Sequence, residues 1–185
     1  MFIQTEQTPN PATLKFLPGE IVLDGQPRDF PAQDSADGIS PLAEKLFGID
    51  GVRGVFLGHD FISVTKDADQ EWYVLKPSIL GIIMEHYTIG QPILYHQATA
   101  LPAVEAGEDD AVVTQIKELL DTRVRPAVAQ DGGDIVFHGF ENGIVYLAMQ
   151  GACAGCPSST ATLKMGIENM LRHYVPEVIE VRPVA

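Results

Sequence analysis

Hydrophobic and polar residues alternate in short runs through the first part of the chain, and apolar residues fall at helical spacing further on. Residues 2–8 and 12–17 read as strands separated by the Pro9-Asn10-Pro11 break, and Pro18-Gly19 ends the second. Residues 41–47 follow Ser40, whose hydroxyl suits a helix N-cap, and predict a short helix opening on Pro41. Residues 52–57 and 61–66 predict a hairpin around Gly58-His59-Asp60. Residues 72–87 then place Leu75, Ile79, Ile82, Ile83 and Met84 on one side of a helix. Pro77 has no amide hydrogen to give that helix, so it must sit in the first turn or shorten it.

The second half repeats the exercise with clearer signals. Val112, Val113, Ile116, Leu119 and Leu120 form a stripe at i, i+3/i+4 and i+7 behind Glu108-Asp109-Asp110, whose charge suits a helix N-terminus. Arg125-Pro126 should kink or restart this helix, and Asp131-Gly132-Gly133 should stop it. Residues 135–140 and 144–149 flank Glu141-Asn142-Gly143, and Asn-Gly between alternating runs signals a tight hairpin. Leu163, Ile167, Met170, Leu171 and Tyr174 mark a further amphipathic helix, and residues 178–181 a closing strand.

The order helix, strand, strand, helix, strand predicts a two-layer α+β unit with helices on one face of a small mixed sheet. The first half echoes part of that order without any cysteine. Small residues, Pro102 and a lack of periodicity between them suggest a linker at 98–108, dividing the chain into domains at 1–97 and 109–185.

The chain has 185 residues, enough for two small cores. Its 12 basic and 25 acidic residues leave a formal charge of −13, which argues against nucleic acid or an anionic membrane surface as partner. Acidity is shared rather than confined to a tail: residues 1–100 carry 6 bases and 13 acids (net −7), and 101–185 carry 6 and 12 (net −6). No apolar run approaches the ~20 residues that cross a bilayer. The first residues carry no basic leader and no apolar segment, which leads to an expectation of a cytoplasmic protein, a cleaved organellar form being the other reading. Arg123, Arg125, Lys164 and Arg172 are interspersed with acids and read as a solvated face, and Thr8-Pro9-Asn10-Pro11 as a rigid turn.

Only two cysteines occur, and they sit together in Gly151-Ala152-Cys153-Ala154-Gly155-Cys156-Pro157. That excludes a disulfide framework and concentrates thiol chemistry at one point. The pair lies between a strand and a helix that opens on Pro157, where free amide groups favour thiolate, at Cys156 in particular. Gly151 and Gly155 leave the backbone free to aim both sulfurs at one ligand. An iron–sulfur cluster and a structural zinc ion each take four protein ligands as a rule, and one chain offers two. His59, His86, His96, His138 and His173 have no metal-motif spacing to the pair. Two chains about a two-fold axis, each contributing Cys153 and Cys156, reach four. Like charge on both copies predicts a monomer without metal that pairs when loaded. Two other readings stand beside a cluster carrier. One is a thiol–disulfide oxidoreductase, although the redox fold places its Cys-x-x-Cys near a βαβ pattern rather than behind an antiparallel hairpin. The other is a structural zinc module between chains.

Asp131-Gly132-Gly133-Asp134, then a hairpin, then Gly151 through Ser159 resembles the C-terminal domain of NifU-like (Nfu-type) iron–sulfur scaffold and carrier proteins. Thr8-Pro9-Asn10-Pro11-Ala12-Thr13-Leu14-Lys15-Phe16, with Gly51-Val52-Arg53-Gly54-Val55-Phe56, resembles the N-terminal domain of the same family. The resemblance implies a non-enzymatic protein holding a [4Fe-4S] cluster, with [2Fe-2S] as the alternative, bridging two chains through Cys153 and Cys156. It further implies receipt from an upstream assembly scaffold and delivery to apo-proteins such as aconitase-like and radical lipoyl-synthase-like clients.

Overall fold

The N-terminal strands form in the computed structural model, which describes residues 1–95, 111–154 and 157–184, the side chains of 157–159 left aside. The chain divides into two units, Met1–Pro102 and Ala103–Ala185, each an α+β structure with its own sheet and core. The linker expected at 98–108 lies outside the described residues.

In the first unit, β1 (Gln4–Gln7), β2 (Thr13–Leu17), β3 (Arg28–Phe30), β4 (Val52–Leu57) and β5 (Ile62–Lys66) make an antiparallel sheet of order β1-β2-β5-β4-β3. Helices α1 (Gln33–Ala36), α2 (Pro41–Phe47) and α3 (Trp72–Ile89) complete it. Ser40 caps α2 as its chemistry suggests, accepting from the Ala43 amide at 3.2 Å while donating to the Ile93 carbonyl at 2.7 Å. The Thr8-Pro9-Asn10-Pro11 segment is a bonded turn. The Thr8 hydroxyl reaches the Asn10 and Thr13 carbonyls, each at 2.8 Å, and Asn10 Oδ1 accepts from the Ala12 amide.

Helix α3 corrects the expectation for Pro77, which lies inside it, past the first turn, without shortening it. The acceptor that the missing amide would have used is the carbonyl of Tyr73, an exposed residue that water reaches. Leu75, Ile79 and Ile83 are buried as expected, but Met84 faces solvent and the fourth buried position is His86.

His86 is fully enclosed, and neither ring nitrogen has a hydrogen-bond partner among the described residues; the Tyr87 hydroxyl beside it is likewise unpaired. Burial, and then the Lys45 ammonium, hold the imidazole below its ordinary pKa, with the backbone at Gln91 and Pro92 opposing weakly. A lowered histidine pKa means that the unfolded chain binds the extra proton first, so stability is intact above ~6.5 and falls as pH drops below it. The first unit is therefore expected to lose stability as pH falls from ~7.5 to ~5.5, and His86→Leu to remove that loss. Urea unfolding followed by the fluorescence of Trp72, the chain's single tryptophan, measures it; an equal loss in the variant would contradict the assignment.

In the second unit, α4 (Ala111–Leu119) runs through a π turn (Leu120–Val124) into α5 (Arg125–Gln130), followed by β6 (Gly133–Glu141), β7 (Ile144–Gly151), α6 (Pro157–Tyr174) and β8 (Glu180–Val184). The kink or restart expected at Arg125-Pro126 is replaced by this wide turn. The Arg125 amide bonds the Leu120 carbonyl five residues back, so the helical run reaches Pro126 and continues. Asn142 and Gly143 both take positive φ (52° and 79°), as a two-residue hairpin turn requires. Strands β6 and β7 pair antiparallel and β7 and β8 parallel, giving the mixed sheet that was expected. Ile116, Leu120, Val124 and Val128 meet Ile135, Val145, Leu147 and Val181 of the sheet and Ile167 and Leu171 of α6 in one core. Val136 and His138 on the alternate positions of β6 are exposed.

Candidate metal centre

The segment that carries Cys153 leaves β7 at Gly151, whose φ of 64° turns the chain out of the sheet. Gly151 is the cross-strand partner of Gly133. The Ala152 amide donates to the Gly132 carbonyl at 3.2 Å and the Ala154 amide to the Gly151 carbonyl at 3.1 Å. The Asp131-Gly132-Gly133-Asp134 turn is thus more than a helix stop: it forms the floor under the cysteine segment.

Cys153 is a free thiol with 7% exposure, part of the hydrophobic core of its unit. Its sulfur lies so close to Gly133 that a Cβ placed there would stand 2.7 Å from Sγ. The Thr160 hydroxyl, from the first turn of α6, donates to the Cys153 carbonyl at 3.0 Å. Burial pushes the Cys153 thiol up to about 12, and the negative charges of Asp131 and Asp134 add to the effect. This is opposite to the helix-terminus argument for a lowered thiol pKa. That argument concerned Cys156 most, and Cys156 and Gly155 lie outside the described residues. Among the described residues no three His, Cys, Asp or Glu side chains gather where they could hold a metal ion.

Arg125 corrects its assignment to a solvated face. Its Nε and Nη2 donate to the two oxygens of Asp134 at 3.0 and 2.8 Å, and its Nη1 reaches Asp121 at 3.2 Å. The Asp134 side chain is 6% exposed, so this fork holds a buried carboxylate directly beside Gly133. Arg125→Met is expected to destabilise the second unit by about 2 kcal/mol. That is less than the 3–5 kcal/mol for a fully enclosed pair, because the Arg125 side chain is 27% exposed. Urea unfolding followed by far-UV circular dichroism reads the loss. Trp72 fluorescence, which reports the first unit, should not move. A matching shift in both signals would refute the local origin.

Of the histidines, His59 is tied to the Leu23 carbonyl through Nδ1 at 2.9 Å, His86 is enclosed in the first unit, and His138 and His173 are exposed; His96 lies outside the described residues. Sequence reasoning missed Arg125 and Thr160. Nine and seven residues separate them from their partners, and no local pattern links such positions.

Among known proteins, residues 116–182 match the NifU-like domain and residues 3–90 match the N-terminal domain described as scaffold protein Nfu/NifU N terminal. The human protein named NFU1 iron-sulfur cluster scaffold homolog, mitochondrial, is 53% identical over 187 residues, covering all of this chain and 72% of its own. NifU-like protein 4, mitochondrial, of Arabidopsis thaliana is 56% identical over 182 residues, covering 96% of this chain and 64% of its own. The solution structure of a NifU-like protein from Saccharomyces cerevisiae aligns with 51% of this chain and 85% of its own, at 26% identity and a TM-score of 0.46. This chain spans from 62% to 72% of the length of the curated relatives it matches. The expectation of a cytoplasmic protein is corrected by these relatives, whose names place them in mitochondria. With more than half of the aligned residues identical to a relative over the whole of this chain, and both domain families matched in order, the chain belongs to the Nfu-type family of NifU-like proteins.

Proposed function

We propose that this chain is a scaffold or carrier for an iron–sulfur cluster, which it holds as cargo through Cys153 and Cys156 of two copies and passes to apo-proteins. The observation that carries the reading is the count of thiols: two per chain, three residues apart, where a cluster takes four ligands. A [4Fe-4S] core bridging two chains is the form the family favours, with [2Fe-2S] as the alternative. No residue acts as a general acid or base in this reading; the chain's work is to bind, present and release. Upstream lies an assembly scaffold, and downstream the apo iron–sulfur proteins that receive the cluster.

The burial of Cys153 counts against the oxidoreductase reading. A dithiol oxidoreductase works through an accessible thiolate of lowered pKa, and the first cysteine of this pair has neither property. Anaerobic reconstitution with iron and sulfide, followed by light scattering on a sizing column and iron and sulfide analysis, tests the proposal. A dimer carrying both elements is expected beside a metal-free monomer. Zinc without acid-labile sulfide would favour the structural zinc module, and a loaded single subunit would overturn the bridged arrangement.

A further inference from the structure

We propose that Thr160 is a positioning residue that keeps Cys153 inside the core of the second unit while the chain is free of cluster, so that the first thiol is released before it binds iron. The thiol is 7% exposed and packs into the space that the absent side chain of Gly133 leaves. A thiol so nearly enclosed does not present its sulfur to a cluster shared with a second copy. The segment must therefore move outward on loading.

Three of the hydrogen bonds among the described residues hold the segment down. The Ala152 and Ala154 amides are tied to the Gly132 and Gly151 carbonyls, on the sheet side. The third, from the Thr160 hydroxyl to the Cys153 carbonyl, comes from α6, beyond the second cysteine, and it is a side-chain bond. It can be removed with the backbone left intact. It is also the described bond through which a shift of the first turn of α6 would be transmitted to Cys153. Local opening of a buried group is governed by the few bonds that close it, and one neutral hydrogen bond is enough to change the open population severalfold.

The significance for cargo rests on the cluster reading above, whereas the stowing of the thiol does not, and the experiment separates the two. In the metal-free 185-residue chain carrying Cys156→Ser, Cys153 is the sole thiol. Its labelling by N-ethylmaleimide at pH 7.5, followed by mass spectrometry, is expected to be at least ~10-fold slower than in the same protein unfolded in guanidinium. Thr160→Val keeps the branched shape and removes the hydroxyl, and should speed native labelling roughly five- to tenfold. Thr160→Ser restores the hydroxyl and should label near the parent rate, a rescue that a purely steric role for this position would not give. On the wild-type cysteine pair, Thr160→Val should take up iron and sulfide faster and to the same final content.

Native labelling as fast as unfolded labelling, or Thr160→Val and Thr160→Ser labelling alike, would overturn the inference. Loss of the cluster reading would appear differently, as wild-type protein that binds no iron and sulfide while the labelling contrast stands. Far-UV circular dichroism and the urea midpoint of each variant identify any change that is only unfolding. If Thr160→Val is unfolded, the slow native labelling of the parent still decides whether the thiol is stowed.

Discussion

Replacing Cys153 by alanine is expected to bring iron and acid-labile sulfide at least ~10-fold below wild type after anaerobic reconstitution and to leave the chain a monomer. In the proposed dimer each substitution is made twice, so the donor set falls from four thiolates to two, fewer than a cluster requires. Among the described residues no histidine joins a group of three or more side chains that could hold a metal ion, and His86 is enclosed in its own core. The same substitution has a second, smaller consequence, because Cys153 is also a core residue. Removing its sulfur should cost about 1 kcal/mol of stability in the second unit, too little to unfold it. The two effects separate experimentally, metal content reading the first and the urea midpoint the second. Cys156→Ala should reproduce the metal loss. Retention of iron by either variant, or a dimer in its absence, would remove the basis for the ligand assignment.

The parts of this fold that were legible in the sequence are those in which local chemistry and tertiary structure agree. The β6–β7 hairpin needed positive φ at two adjacent positions, and Asn142-Gly143 announced it. Ser40 ahead of Pro41 announced α2 for a similar reason. Strand β3 was invisible because Arg28-Asp29-Phe30 offers one buried apolar residue, and it is a strand only by pairing with β4. The π turn was equally hidden. Proline in a helical run reads as a break unless the preceding turn widens, and Leu120–Val124 widens it while keeping Leu120 and Val124 in the core. At the candidate site the cysteines stood out by spacing, but the inward placement of Cys153 did not. Gly-Ala-Cys-Ala-Gly has no periodicity from which a buried face could be read, and the floor that receives the thiol comes from β6, twenty residues earlier in the chain.

That floor makes Gly133 the position where the smallest substitution should do the most. A methyl group on Gly133 would stand 2.6 Å from the Gln150 carbonyl oxygen, 2.7 Å from Cys153 Sγ and 3.1 Å from the Cys153 amide nitrogen. Two of these three neighbours are backbone atoms. They are held by the pairing of Gly133 with Gly151 and by the turn at Gly151, so they do not yield as a flexible side chain would. The φ of Gly133 is not in the left-handed region, and the penalty is therefore steric. Against it stands the ~0.4–1 kcal/mol by which alanine lowers the entropy of the unfolded chain. Overpacking prevails, and Gly133→Ala is expected to destabilise the second unit by about 3 kcal/mol and to drive Cys153 out of the core. Gly166 provides the opposite case within the same unit. It lies exposed in the middle of α6, where a methyl group would meet nothing within 4 Å, and Gly166→Ala should stabilise the unit by up to ~1 kcal/mol through helix propensity. Urea unfolding followed by circular dichroism measures both, and maleimide labelling reads the exit of the thiol. If alanine at 133 left stability and labelling at wild-type values, the segment would have to be free to lift at negligible cost. The close packing of Cys153 against β6 would then have no hold on where the thiol waits.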